Sequence, residues 1–321
     1  MVEVLRKKRK PPILTPSAIP CLRHLPTINI TEGCASGCVY CYIQGYAHYP
    51  GPHCVVLFDN TAELVEQELR RRRRLPSRVY FSPSSDAFQY LPQVQEVSIA
   101  TMAVLLRAGI EVSFLTKGFI TDRFVRLFAS APLLVFAQLG ITTLDAGLWK
   151  SLEPRTAPPS KRIEYVRALR EAGVATTVRL DPLIPDVTDT DQNLIPLLER
   201  LRDVGVRSAA ASYLFLRPGF AAKATLDTRS GAVAHCEHAS WEYQRFVHGC
   251  GGGRMIPNRE RALRFARIEA LAGCFGIRLT ACRCKNPDLP SAPCRIAGPS
   301  AETEPALDAQ GVFDFAHRTS E

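Results

Sequence analysis

Along most of the chain, short runs of β-branched and apolar residues alternate with longer stretches whose apolar positions recur every three or four residues. The short runs predict strands at 27–30, 79–82, 111–115, 134–139, 176–180, 208–214 and 277–281. The longer periods predict helices at about 61–74, 93–107, 121–129, 160–172, 192–204 and 258–272. The best-defined helix is SKRIEYVRALREAGV, with Ser160 as its expected N-cap and Gly173 just past its end. This alternation is that of an α/β fold, a parallel sheet covered by helices. About six βα units close most economically into a partial or full barrel, whose functional loops sit at the C-terminal ends of the strands.

Two segments fall outside this rhythm. Residues 1–26 are basic and Pro-rich and read as an arm leading into the first strand, and residues 297–321 read as an acidic, flexible tail. The core is expected over 27–215, followed by a Cys-containing C-terminal extension over 216–296.

The 321 residues are 46% hydrophobic and 22% charged, which allows a sizeable core and excludes wholesale disorder. No apolar run approaches the roughly 18 residues of a membrane span, and the N-terminus lacks the apolar stretch of a secretory signal, so the cytoplasm is the expected compartment. The net charge of +9 is local. It resides in Arg6, Lys7, Lys8, Arg9 and Lys10, set against Glu3, and in the run Arg70 to Arg74. Such runs read as solvated surface or as a patch for nucleic acid or another polyanion.

Candidate chemistry enters with the cysteines. There are 11 of them, an odd and clustered set that points to metal ligation rather than to a disulfide framework. Directly after the first predicted strand, GCASGCVYCY places Cys34, Cys38 and Cys41 at CxxxCxxC spacing between small residues and tyrosines. Three thiolates on one loop suit a four-iron cluster with one iron left open, while Cys38 and Cys41 alone would suit a zinc site.

The loop resembles that of the radical S-adenosylmethionine (radical SAM) enzymes, and within them the spore photoproduct lyase-like group. Further stretches carry the resemblance through about residue 215, each near an expected strand end: VYFSPSSDAFQ, FLTKG, LGITTLD, LEPRTAPPSKRIEYVRALREAGV and RLDPLIPD. It implies a partial (β/α)6 barrel of the TIM type, a 4Fe-4S cluster on Cys34, Cys38 and Cys41, and SAM bound at the open iron. Reductive cleavage of SAM would then yield a 5′-deoxyadenosyl radical that abstracts hydrogen from a substrate, with the protein supplying orientation and excluding solvent. By the same resemblance Tyr40 lies near the adenine, Ser84 contacts the SAM amino group with Ser85 and Asp86 beside it, and Lys117 pairs with the SAM carboxylate. A serine of the group's fourth-strand motif falls on Gly140, so that contact is either lost or moved to Thr142 or Thr143. The hydrogen-donor cysteine of the lyase falls on Pro83, so lesion reversal does not carry over.

A second cysteine group, Cys282, Cys284 and Cys294 in LTACRCKNPDLPSAPC, reads as an auxiliary iron-sulfur cluster, a structural zinc site or reduced thiols, with Cys236, Cys250 or Cys274 as completing ligands. The reading as a whole is an oxygen-sensitive enzyme that takes an electron from flavodoxin or ferredoxin and acts on nucleic acid, or else on a peptide or small metabolite. A non-catalytic, metal-stabilised nucleic-acid-binding protein is the alternative of another class.

Overall fold

A computed structural model describes residues 2–17, 19, 22–216, 252–283 and 285–290, and the backbone of 242–245. The expected tail, nearly half of the C-terminal extension, and Cys236, Cys250, Cys284 and Cys294 lie outside the described residues.

In chain order the elements are β1 (Glu3–Lys7), β2 (Thr15–Pro16), β3 (Pro26–Ile28), β4 (Thr31–Glu32), β5 (Cys54–Phe58), α1 (Thr61–Arg71), β6 (Arg78–Phe81), α2 (Pro92–Arg107), β7 (Glu111–Thr116) and α3 (Asp122–Ala129). They continue with β8 (Val135–Gly140), α4 (Ala146–Leu152), α5 (Pro159–Glu171), β9 (Ala175–Leu183), α6 (Asp191–Asp203), β10 (Ser208–Tyr213), β11 (Glu242–Arg245), β12 (Gly252–Met255), α7 (Asn258–Cys274) and β13 (Arg278–Ala281).

The main sheet runs β13-β10-β9-β8-β7-β6-β3-β2. Every pair from β3 to β13 is parallel, and β2 is antiparallel to β3. Successive strands are neighbours, so the sheet grows in one direction, as in a βα barrel, and its order here is open. All seven expected strands form. Helices bury their apolar stripes against it: Val65 and Leu69 from α1, Phe124 and Phe128 from α3, Ile163, Val166 and Leu169 from α5. Phe88, Phe114, Phe124 and Phe128 stack into one aromatic cluster, with centroids 4.5 to 6.3 Å apart. Helix α5 begins at Pro159 with Pro158 as its cap, two residues earlier than the cap expected at Ser160, because proline's fixed φ suits the first helical position. Gly173, at φ +78°, ends it, its amide bonding Arg170 O and that of Val174 bonding Leu169 O.

The basic N-terminal segment holds a strand that hydrophobic patterning did not reveal. Strand β1 pairs in parallel with β5, which pairs with β4, in a separate sheet of order β1-β5-β4. Its residues are mostly exposed, so no alternation marks it. Among the described residues no helix is long and apolar enough to cross a membrane.

Candidate active site

Parallel topology delivers the C-terminal end of each strand to one rim, and the sequence-predicted residues collect there. The cysteine loop follows β4 directly. Three other motifs hold it in place. Gln89, from the loop after β6, accepts from the Ala35 amide at 2.6 Å and donates to Thr31 Oγ1 and to the Asp86 carbonyl. Arg155, just after α4, donates through Nε to the Ala35 carbonyl at 2.5 Å and through Nη2 to that of Pro52, while its own amide bonds Ser36 O. The Val39 amide bonds Leu152 O. Gly37 sits at φ +64°, and a Cβ there would run into the Arg155 guanidinium, so the close wrap requires glycine.

Cys34, Cys38 and Cys41 are free thiols on the wall of one cavity of about 280 Å³. Burial, with Asp86 acting on Cys34, Glu153 on Cys38 and Cys38 on Cys41, pushes each thiol up to about 12. The three are near enough to sense one another. Yet among the described residues no three His, Cys, Asp or Glu side chains converge as ligands of a single ion.

Lys117 enters the cavity from the end of β7. Its ammonium donates to Glu153 Oε1 at 2.7 Å, to the Asp181 carbonyl at 2.7 Å and to the Tyr40 hydroxyl, and lies 4.8 Å from the centre of the Tyr40 ring. Tyr40 in turn donates to Glu153. The other Glu153 oxygen accepts from Arg162 at 2.5 Å, and both side chains are 1% exposed. Burial works against the Glu153 charge, but Lys117 and Arg162 outweigh it and bring its pKa down to about 2. Thr142 donates to Glu153 Oε1 at 3.1 Å and lies behind it. The structure therefore does not bring Thr142 to the cavity wall, because Glu153 engages its hydroxyl.

Ser84, Ser85 and Asp86 all line the cavity. Asp86 is spent on architecture, accepting from the amides of Phe88 and Lys117 and from Thr116 Oγ1, which ties the ends of β6 and β7 together. Ser82, at φ +50°, turns the chain out of β6. The Ser82 and Ser85 hydroxyls are buried without a hydrogen-bond partner, and both residues face the cavity. Pro83, where a donor cysteine would stand, also lines it, and its carbonyl accepts from Tyr42 at 2.5 Å.

On the opposite wall sequence reasoning missed Lys285. Asp181 on β9 pairs with Arg179 at 2.8 Å and with Lys285 at 2.9 Å, the latter reaching in from the C-terminal segment. Burial opposes the Asp181 charge, and the two cations hold its pKa well below the usual carboxylate range. The turn bearing Lys285 is fixed by the fully buried Arg261, which bonds Asn286 Oδ1 at 2.8 Å and Asp288 at 2.6 Å. Cys282 is buried beneath this turn, its amide bonding Ala211 O. Nothing in its local sequence marks Lys285 for the cavity. Only the LEPR and SSDAFQ stretches foreshadowed Arg155 and Gln89.

The profile of the Radical SAM superfamily matches residues 28–212, the span that carries the cysteine loop and six of the parallel strands. The chain belongs to the radical SAM superfamily. Its relatives include an uncharacterized protein of Mycobacterium tuberculosis, 28% identical over 202 residues, covering 60% of this chain and 59% of that one. Another is the radical SAM Nα-GlyT isomerase of Pseudomonas phage M6, 25% identical over 173 residues, 54% of this chain and 35% of that one. The chain thus spans about three fifths of the length of the first of these. Among solved structures it is similar to a variant of spore photoproduct lyase, with a TM-score of 0.65, 14% identity, and coverage of 86% of this chain and 81% of that one. A spore photoproduct lyase variant with bound AdoMet and dinucleoside spore photoproduct gives 0.61 at 14% identity, covering 79% and 76%. At these identities the likeness is one of fold.

Radical SAM family membership implies a 4Fe-4S cluster and SAM, and the residues fit both. Three free thiols on one loop, mutually close but not converged on one ion, match a group that takes each thiolate on a different iron. The unpartnered Ser85 hydroxyl and the Lys117 ammonium offer the cavity polar groups for a zwitterionic ligand.

Proposed function

We propose that this radical SAM protein cleaves SAM reductively and abstracts hydrogen from a substrate held in the same cavity. One observation carries the reading: the three thiols share a cavity with Lys117 and with the unpartnered hydroxyls of Ser82 and Ser85. When bound, the cluster and SAM supply a 5′-deoxyadenosyl radical after one-electron reduction. The chain's own residues do the rest. Cys34, Cys38 and Cys41 hold the cluster, and Lys117, positioned by Glu153, meets the SAM carboxylate. Ser84 and Ser85 take the amino end, and Tyr40 closes one side. Leu22, Leu115, Leu214 and Phe215 make the remaining wall apolar, which keeps water from a reactive intermediate and favours a substrate with an apolar body.

Among the described residues the thiols lining the cavity are the three of the cluster loop, so a lyase reaction that depends on a further cysteine is not part of this proposal. The basic runs do not line the cavity either, and a nucleic-acid substrate rests on charge alone.

The test is anaerobic reconstitution followed by reduction with dithionite in the presence of SAM. Formation of 5′-deoxyadenosine and methionine, lost in Cys34→Ala/Cys38→Ala/Cys41→Ala, supports the reading, and its absence from the wild type overturns it. About four irons per chain falling to near zero in the triple variant corresponds to one cluster. About eight falling to about four corresponds to a second four-iron cluster independent of the first.

A further inference from the structure

Charge is distributed unevenly around the cavity. Among its described lining residues the carboxylates are Asp86 and Asp181, and the cations are Lys117, Arg179 and Lys285. Asp86 is occupied by the amides and the hydroxyl that tie β6 to β7, and Lys117 has the Glu153 carboxylate as its partner. On the opposite wall Asp181 faces two cations. Arg179 Nε lies 2.8 Å and Lys285 Nζ 2.9 Å from the same oxygen, Oδ2, so one further anion can reach both cations. Two cations against one carboxylate leave a positive charge in excess there. The Lys285 ammonium carries three N–H groups, and both oxygens it engages belong to Asp181.

A buried network holds Lys285 in this place. Arg261 of α7 is fully buried, and its guanidinium bonds the Ile256 carbonyl at 3.0 Å, Asn286 Oδ1 at 2.8 Å and Asp288 at 2.6 Å. Asn286 in turn donates to the Cys282 carbonyl at 2.9 Å. A buried cation is costly unless it is well bonded, so this turn is tied down from within by satisfied charge. Lys285 itself keeps 30% of its side chain exposed. The rest of the lining is apolar. Ile19 and Leu22, from the segment between β2 and β3, pack with Tyr80 of β6 and Leu115 of β7 in a small cluster of their own, and all four line the cavity. Leu214 and Phe215 follow β10 beside β9, where the Leu214 amide bonds Leu183 O.

We infer that Arg179 and Lys285 form a substrate-anchoring subsite, and that the substrate is a small amphipathic anion whose carboxylate or phosphate head meets these two cations while its apolar body lies on the leucine and phenylalanine wall. The inference rests on the function proposed above and names a substrate class for it. The sign of the head group follows from Asp181. Both of its oxygens are already engaged by Arg179 and Lys285, so a cationic head would have to strip the carboxylate from them and then meet their charge. An anionic head adds to the pair instead. A guanidinium fork beside a mobile ammonium suits the oxygens of a carboxylate or phosphate, and the bonds it makes with them are charge-assisted. Anchoring the head on the wall opposite the cysteine loop leaves the apolar body between the two, where hydrogen is to be abstracted.

The test uses the full reconstituted chain, oxidised and saturated with SAM, and titrates it by calorimetry with octanoate, octyl phosphate, octanamide and octylamine. At least one of the two anions is expected to bind about tenfold more tightly than the amide and the amine, and the tighter anion identifies the head group. Three variants follow, each checked by circular dichroism and iron content. Lys285→Gln is expected to weaken the preferred anion about tenfold, and Lys285→Arg to restore it. Asp181→Asn removes the competing carboxylate and should tighten anion binding, an effect that a trio merely bracing the wall would not give. Anions that bind no better than octanamide and octylamine overturn the inference, as does anion affinity unchanged in Lys285→Gln or lowered in Asp181→Asn. Should Lys285→Gln lose its fold, the direction of the Asp181→Asn effect decides. A wild type that forms no 5′-deoxyadenosine from SAM and dithionite would instead sink the proposed function, so the two failures are distinguishable.

Discussion

Gly140 at the end of β8 leaves the space through which Lys117 reaches the cavity. A Cβ on Gly140 would stand 2.6 Å from Lys117 Cε and 2.9 Å from its Cγ, so the lysine stem occupies the volume that any other residue would claim. The departure from the family's serine at this position therefore has a structural counterpart in the path of the lysine.

Gly140→Ser is accordingly expected to displace Lys117 from Tyr40 and Glu153. SAM affinity of the reconstituted protein should fall about tenfold, or about 1.4 kcal/mol, while iron content stays at the wild-type level. Equilibrium binding of SAM together with an iron assay checks both parts.

Glu153 lies between two cations, and removing it strands both. Glu153→Ala leaves Lys117 and Arg162 without their shared carboxylate, and chemical denaturation should show a loss of about 3–5 kcal/mol. The same pairing has a pH signature. Because the folded pKa is lowered from 4.5 to about 2, this stabilisation is fully present above 4.5 and is lost as pH falls through that window. Denaturation midpoints measured from pH 6 down to pH 3 should fall more steeply in the wild type than in Glu153→Gln.

Arg155 clamps the cysteine loop without being a ligand. Arg155→Ala frees the carbonyls of Ala35 and Pro52, and iron should be lost to a chelator roughly ten to a hundred times more readily, as for other groups that orient metal ligands. Arg155→Lys should rescue little, because one ammonium cannot reproduce the guanidinium's two-directional contacts.

Asn286 anchors the turn that carries Lys285. Asn286→Ala removes one charge-assisted bond from the buried Arg261 and one side-chain donor from the Cys282 carbonyl, both of which keep other partners, at a cost of about 2 kcal/mol in a urea unfolding series.

The sequence by itself determined the αβ alternation, the seven parallel strands and the loop with Cys34, Cys38 and Cys41. These are legible because they rest on local periodicity and on spacing within ten residues, which a linear chain displays directly. It also marked Ser84, Ser85, Asp86 and Lys117, since parallel strands send their C-terminal ends to one rim. The division of labour among these residues belongs to the tertiary structure. Asp86 and Thr142 turned out to hold the fold and Glu153, because burial obliges each polar group to find a partner, and those partners come from distant strands. Strand β1 escaped detection since pairing with β5 is a backbone interaction that exposed side chains do not encode. Lys285 reaches Asp181 across 104 positions of sequence, and Arg155 reaches Ala35 across 120. Such contacts exist only once the chain has closed on itself, when packing rather than pattern fixes which side chains share a cavity.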